Sequence, residues 1–339
     1  MSNLRFQNAL AQKPQNTPPI WMMRQAGRYH SPYQQLRKEH SFITLCKNAK
    51  LAAEVALAPV MDFKFDVSIL FSDLLFPLEA IGMGLDYNPA PQLGWHLQEV
   101  GDFKKMTPPD KAIDALRFQK EAVEETRKVL PETTSLIGFV GSPWTLFVYA
   151  AAGSHKGSLV EVKKRLSLFE PFCELMMPLL KQNIQLQLDG GAEVVMVFDT
   201  AAGEMAPETY LQMVSPKVEE LADLYPGKLG YYTKGTLGRH LIQVEKKPLA
   251  GIGYDQRWHL PDCFGRSPGF TQGNFDQTLL FAPPKEFEMH LMRYLEPLQK
   301  LSPEQRKGWV CGLGHGVLPQ TPNDNVRLFV DRVREVFGE

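Results

Sequence analysis

The stretch Pro19-Ile20-Trp21-Met22-Met23-Arg24-Gln25-Ala26-Gly27-Arg28-Tyr29 is an apolar run that ends abruptly in two arginines four residues apart, around a small Ala-Gly pair. Arginine is a permanently charged fork suited to a bidentate grip on carboxylate or phosphate. Gly27 removes a side chain that would hold a ligand off the backbone. Two readings follow from the segment alone: an anion site on a rigid frame, or two ordinary surface or ion-paired residues of a loop.

The same unit, a short apolar run ending in polar or Gly-rich chemistry, recurs along the chain. The runs are Pro19 to Met23, Phe65 to Phe71, Ser135 to Val140, Glu193 to Phe198, Lys228 to Thr233, Leu249 to Tyr254, Gly269 to Gln272 and Gly308 to Leu313. Helix-favouring segments separate most of them, among them Leu159 to Leu188 and Pro284 to Leu301, which implies parallel strands with crossover connections. Eight such runs predict an α/β fold, a (β/α)₈ TIM-type barrel forming a single domain over residues 1–339. Between Tyr254 and Gly269 the interval is short and contains Pro261, so no full helix is expected there. At the end of the chain, Thr321-Pro322-Asn323-Asp324 reads as a capped helix start. The helix it opens turns Val326, Phe329, Val330, Val333 and Phe337 inward and keeps Arg327, Asp331, Arg334 and Glu335 in water.

Composition narrows the function classes. With 339 residues, 44% hydrophobic and 22% charged, the chain is long enough to bury a substantial core. A formal net charge of -1 provides no global field for nucleic acid or an anionic membrane, so any anion must be held locally. The polar start, Met1 to Gln7, lacks the pattern of a signal peptide, and a cytoplasmic location is expected. The uncharged stretch Thr133 to Ser154 carries Gly138, Gly141, Pro143 and Gly153, and reads as strand, turn and helix start rather than a membrane span. Cys46, Cys173, Cys263 and Cys311 are widely spaced and form neither a disulfide framework nor a zinc knuckle.

Clusters of unusual chemistry follow the runs, where a barrel places its catalytic rim. They are Arg24 to Tyr29, Ser72-Asp73, Gly141 to Thr145 with Tyr149, Asp199-Thr200, Lys234-Gly235, Gly273-Asn274 and Gly314-His315-Gly316. Asp73 is set among apolar neighbours, where an unpaired charge is costly and needs partners. It is either a structural cap or an acceptor pointed into a cavity. His315, framed by glycines, is either a hydrogen-bonded structural residue or a site residue. Tyr149 and Thr200 offer hydroxyls that are drawn to a site by position alone.

The stretches P-I-W-M-M-R-Q-A-G-R-Y, I-L-F-S-D-L-L, G-F-V-G-S-P-W-T-L, V-F-D-T-A-A-G, Q-G-N-F-D and G-L-G-H-G-V-L-P resemble the signatures of the uroporphyrinogen decarboxylase family, in order, from about Pro19 to Val336. The resemblance implies a lyase that removes the carboxyl groups of the four acetates of uroporphyrinogen III, giving coproporphyrinogen III in haem biosynthesis. It also implies a homodimer that uses no metal or organic cofactor, while the net charge leaves no expectation of a nucleic-acid or membrane partner. Carried over by motif, the catalytic residues would be Asp73, Arg24, Arg28, Tyr149 and His315, with Gln25, Phe71 and Thr200 also contacting substrate. An octacarboxylate with four inward pyrrole N–H groups calls for cationic forks at its edge and a carboxylate at its centre, which Arg24, Arg28 and Asp73 match. The proton donor is left open among an arginine, Tyr149 with water, and His315. Departures from the family pattern are Thr200 for serine, Ala201 for tryptophan, Gly253-Tyr254 for Asp-Trp, Gly312 for asparagine and His30-Ser31 for Leu-Pro. The competing readings are a zinc- and corrinoid-dependent methyltransferase of the same superfamily, for which Cys311 and His315 are the nearest ligand pair, and a non-catalytic tetrapyrrole-binding protein.

Overall fold

Residues 2–87, 90–154 and 157–338 are described by the computed structural model. Seven of the eight apolar runs pair as one parallel sheet: β1 (Val67–Ile69), β4 (Ser135–Gly141), β5 (Val194–Asp199), β6 (Leu229–Thr233), β7 (Gly251–Gly253), β8 (Phe270–Phe275) and β9 (Trp309–Leu313), in that order. A small antiparallel hairpin, β2 (Asp86–Tyr87) with β3 (Pro91–Gln92), lies in the connection after β1. The eighth run closes the sheet. Ile20 bridges Cys311 in parallel, Trp21 N donates to the Cys311 carbonyl at 3.0 Å and Cys311 N to that of Pro19 at 2.9 Å. On the other side Asp66 N donates to the Ile20 carbonyl at 3.1 Å, so the first run is the stave between β9 and β1 and the expected (β/α)₈ barrel is complete.

Parallel strands buried on both faces read as near-continuous apolar runs, and almost every strand residue is buried. Trp21, Met23, Val67, Ile69, Met196, Phe198, Tyr232, Phe270 and Val310 fill the interior. A larger core lies between the strands and the surrounding helices. The N-terminal helix Leu4–Leu10 plugs the end of the barrel where the strands begin: Phe6 and Ala9 join the interior cluster, and the Phe6 ring lies 5.9 Å from that of Phe270.

At that end one carboxylate joins four parts of the chain. Asp66, 4% exposed, accepts from Asn3 Nδ2 (3.1 Å) and Arg5 Nη1 (3.0 Å) on one oxygen, and from Ile20 N (2.8 Å) on the other, with Arg334 Nη2 at 3.5 Å. It thereby ties the plug helix, the closing stave, β1 and the last helix to one another.

Several expected boundaries shift, each for a local reason. The segment Leu159 to Leu188 is not one helix: a turn at Val160–Lys163 and a 3₁₀ turn at Leu166–Leu168 precede the helix Phe169–Asp189. Pro171 is tolerated in the first turn of a helix and disfavours helix before it. The helix predicted from Pro284 to Leu301 ends at Gln299. The last helix, Asn323–Val336, has no side-chain cap, because the Thr321 hydroxyl turns back to the Leu318 carbonyl at 2.8 Å. Val326, Phe329, Val330 and Val333 do face inward, but Arg334 is half-buried through Lys64 and Asp66. β8 runs on to Phe275 and takes Gly273-Asn274 into the strand, since Gly273 (φ +131) lets the backbone pass Tyr254, whose carbonyl would stand 2.7 Å from a Cβ. The interval after Tyr254 holds only the 3₁₀ turn Leu260–Cys263, and Thr133 to Ser154 forms β4, a turn and the helix Pro143–Ala152. Among the described residues no helix is long and apolar enough to cross a membrane.

Removing the Asp66 carboxylate would take the acceptor from the buried Ile20 amide and detach side chains of the plug helix and the last helix from the start of β1. Asp66→Ala is expected to lower the unfolding free energy by about 3–5 kcal/mol, read from urea denaturation. A loss below about 1 kcal/mol would show that closure does not depend on it.

Candidate active site

The first rim is a turn. Met22 to Gln25 closes with Gln25 N donating to the Met22 carbonyl at 3.0 Å, and Arg24 sits at φ +61, a conformation that costs a non-glycine residue about 1–3 kcal/mol. Gln25 stabilises the turn from within: its Oε1 accepts from Met22 N (3.2 Å) and its Nε2 donates to the Val67 carbonyl (3.0 Å). Gln25 is therefore fully buried with both ends of its amide engaged, riveting the rim to β1 rather than facing the mouth. Gly27 also serves the turn, since a Cβ there would lie 3.3 Å from the Arg24 carbonyl. The turn leaves Arg24 and Arg28 exposed.

Arg24 crosses to the opposite end of the chain. A Cβ on Gly316 would lie 2.5 Å from Arg24 Cδ and 2.8 Å from Cγ, so the arginine stem occupies the space that Gly316 leaves open. Between Gly314 and Gly316, His315 is half-buried, its ring 5.9 Å from and nearly parallel to that of Tyr232. The Tyr232 hydroxyl donates its only proton to the Gly314 carbonyl (2.8 Å), so its 3.0 Å contact with His315 Nδ1 requires the proton there to be on the imidazole. This places the neutral ring's lone pair on Nε2.

Asp73 follows β1 and is half-buried. One of its oxygens accepts from Leu75 N at 2.9 Å, just ahead of the helix Phe76–Ala80. Burial raises its pKa above the ordinary 3.8, only partly opposed by the Leu75 amide, Tyr87 and the positive charge of Arg24. The Tyr87 hydroxyl interacts with the carboxylate but makes no regular hydrogen bond. Tyr149 is pushed up to about 12 by burial first and by the Asp73 charge next, with Arg24 opposing. Arg24, Asp73 and Tyr149 thus share one field, whereas Arg28 acts on Tyr33. The Tyr33 ring packs on Phe71 (5.7 Å), Phe71 on Phe42 (5.8 Å) and Phe42 on Tyr87 (4.5 Å), an aromatic wall beside Asp73.

The Gly141 to Thr145 cluster positions Tyr149 rather than acting itself. Ser142 caps the helix Pro143–Ala152 through Thr145 N (3.0 Å), the fully buried Trp144 donates from Nε1 to the Ala201 carbonyl (3.0 Å), and Thr145 Oγ1 donates to Asp199 (2.8 Å). Asp199, also bonded by the Tyr231 hydroxyl at 2.8 Å, ends β5 facing the helices. Burial lifts its pKa to about 6 against these donors. Thr200 follows it at the rim, 9% exposed.

Tyr87 and Tyr232 had no place in the sequence reading. Alternation along Lys228 to Thr233 puts Tyr231 outward and Tyr232 inward, a pattern that would have found the second. Tyr87 comes from a distant hairpin and carries no local mark. Two of the departures sit in tight places: a Cβ on Gly253 would lie 2.6 Å from Gln272 Oε1, and one on Gly312 would lie 2.2 Å from the Trp21 carbonyl oxygen and 2.9 Å from Gln272 Nε2. Cys311 and His315 do not converge. The thiol is fully buried near Tyr294 on the helix Pro284–Gln299, its pKa raised by burial, while His315 lies at the mouth.

Fold and rim together define a (β/α)₈ barrel whose mouth gathers arginine, carboxylate, tyrosine and histidine. The chain belongs to the uroporphyrinogen decarboxylase family: that family's profile, "Uroporphyrinogen decarboxylase", matches residues 1–336. Similar relatives are uroporphyrinogen decarboxylases of Pelobacter propionicus, 33% identical over 345 residues covering 98% of this chain and 99% of the relative, and of Pseudoalteromonas atlantica, 33% identical over 355 residues covering 100% and 98%. The fold is shared with a methyltransferase from Methanosarcina mazei, at a TM-score of 0.73, 18% identity and 98% coverage of both chains.

Two outcomes are expected. Gly316→Ala pushes the Arg24 stem aside and should raise KM for an anionic substrate about tenfold, as loss of one charge-assisted hydrogen bond does; an unchanged KM would separate Arg24 from binding. For Asp199 the folded pKa lies above the unfolded one, so its contribution is complete below about pH 4 and is lost as pH rises through about 6. Relative to Asp199→Asn, the protein should lose about 3 kcal/mol of stability between pH 4 and 7, measured as the difference between their denaturation profiles. Parallel profiles would show that Asp199 does not titrate in this range.

Proposed function

We propose that this protein removes the carboxyl groups of the four acetate side chains of uroporphyrinogen III, leaving methyl groups and giving coproporphyrinogen III. The observation that carries this reading is Asp73: a desolvated carboxylate with one backbone donor, placed between the field of Arg24 and an aromatic wall. Four convergent pyrrole N–H groups supply the donors such a carboxylate lacks, and a flat macrocycle suits aromatic neighbours. In this reading Arg24 and Arg28, both exposed, grip side-chain carboxylates at the edge.

Each decarboxylation consumes one proton and releases one CO₂. Protonation of the pyrrole ring gives a cation that accepts the electron pair of the breaking C–C bond, after which the exocyclic carbon is protonated and the ring proton is lost. Ionised Asp73 stabilises that cation in a site where water is partly excluded. His315, with its Nδ1 proton directed to Tyr232, offers Nε2 for proton traffic, and Tyr149 stays neutral across physiological pH.

Purified protein should convert uroporphyrinogen to coproporphyrinogen in the presence of a metal chelator, and Asp73→Asn should lower kcat about 10²–10³-fold while remaining folded. Product affinity in the parent should weaken as pH falls through the Asp73 pKa, because only the carboxylate accepts four N–H donors; in Asp73→Asn it should be flat. Full activity of Asp73→Asn would remove the central-carboxylate role.

A further inference from the structure

The loop after β7 carries a third arginine at the mouth. Asp255, fully buried, accepts from Gly235 N (2.5 Å), Arg257 N (3.0 Å) and Arg257 Nη1 (2.6 Å), and its carbonyl takes a hydrogen bond from Asn274 Nδ2 (2.8 Å). The loop is thereby pinned to the ends of both β6 and β8. Arg257 commits one N–H to Asp255, and its side chain remains 54% exposed. Between them Gln256 presses on the histidine loop: a Cβ on Gly314 would stand 2.5 Å from Gln256 N. His315 is therefore flanked on one side by Arg24, through Gly316, and on the other by the Gln256-Arg257 loop, through Gly314. The charges of Arg24, Arg257 and Asp255 all act on Tyr232, the partner of His315.

We infer that Arg257 is a further carboxylate-binding residue, gripping a side-chain carboxylate of the tetrapyrrole across His315 from Arg24, with Asp255 as its positioning residue. This rests on the polycarboxylate reading above. A guanidinium pre-oriented by a buried carboxylate loses little freedom on binding, and its remaining donors suit a bidentate contact. Arg257 and Asp255 themselves lie outside the motifs that carried the family resemblance.

The test measures binding of uroporphyrin, the oxidised and non-reacting octacarboxylate, by fluorescence titration, together with kcat and KM for uroporphyrinogen. The variants are Arg257→Ala, Arg257→Lys, Asp255→Asn and, as control, Arg24→Ala. Arg257→Ala should weaken uroporphyrin binding about tenfold and raise KM more than it lowers kcat. Arg257→Lys retains the ion pair with Asp255, and so the loop, yet should recover only part of the affinity because a point charge replaces the fork. Asp255→Asn should raise KM in the same direction. If Arg24→Ala weakens binding while both Arg257 variants stay within about twofold of the parent, the assignment of Arg257 is overturned and the decarboxylase reading stands. If the parent neither binds uroporphyrin nor turns over uroporphyrinogen, the decarboxylase reading falls and the assignment falls with it.

Discussion

Closure of the sheet is the constraint on which everything at the mouth depends. A parallel sheet left open would expose the edges of β1 and β9 and leave Arg24 without neighbours on either side. The stave at Ile20 meets both edges, and buried Asp66 holds it by taking the Ile20 amide together with side chains from the N-terminal and C-terminal helices. Arg24 then reaches Gly316, more than 250 positions along the chain, while Gln25 fastens its own turn to the β1 backbone. The stabilising Asp66 cluster sits where the strands begin and the candidate site residues where they end, so the two occupy opposite ends of the barrel.

The mouth combines satisfied and unsatisfied groups in a way that separates scaffold from site. Asp199, Asp255 and Gln25 are fully buried and supplied with donors or acceptors, which makes them rigid. Asp73 is half-buried yet has only one backbone donor and a tyrosine hydroxyl that makes no regular hydrogen bond. A partly desolvated charge short of partners costs stability, and it is the group a ligand with N–H donors can complete. Glycines set the distances: Gly314 and Gly316 admit a neighbouring loop and an arginine stem, and neither space tolerates a methyl group without displacement.

The sequence by itself determined the strand count, the ends of the strands that carry chemistry, and Arg24, Asp73, Tyr149 and His315 as residues to watch. Short apolar runs and the polar clusters after them are local features, and local features survive in a one-dimensional reading. It could not tell rivet from grip within a single motif. Gln25 and Arg24 are adjacent, but only the fold shows one buried against β1 and the other laid across Gly316. In the same way Trp144 and Thr145 proved to anchor a helix, with Tyr149 one turn further on bearing toward Asp73. Tertiary structure alone decided the closing role of Asp66, the approach of Tyr87 to Asp73, and the setting of the Gln256-Arg257 loop against Gly314. Each joins segments far apart in the chain, and nothing in local periodicity records which distant partners a folded backbone brings within a few ångströms.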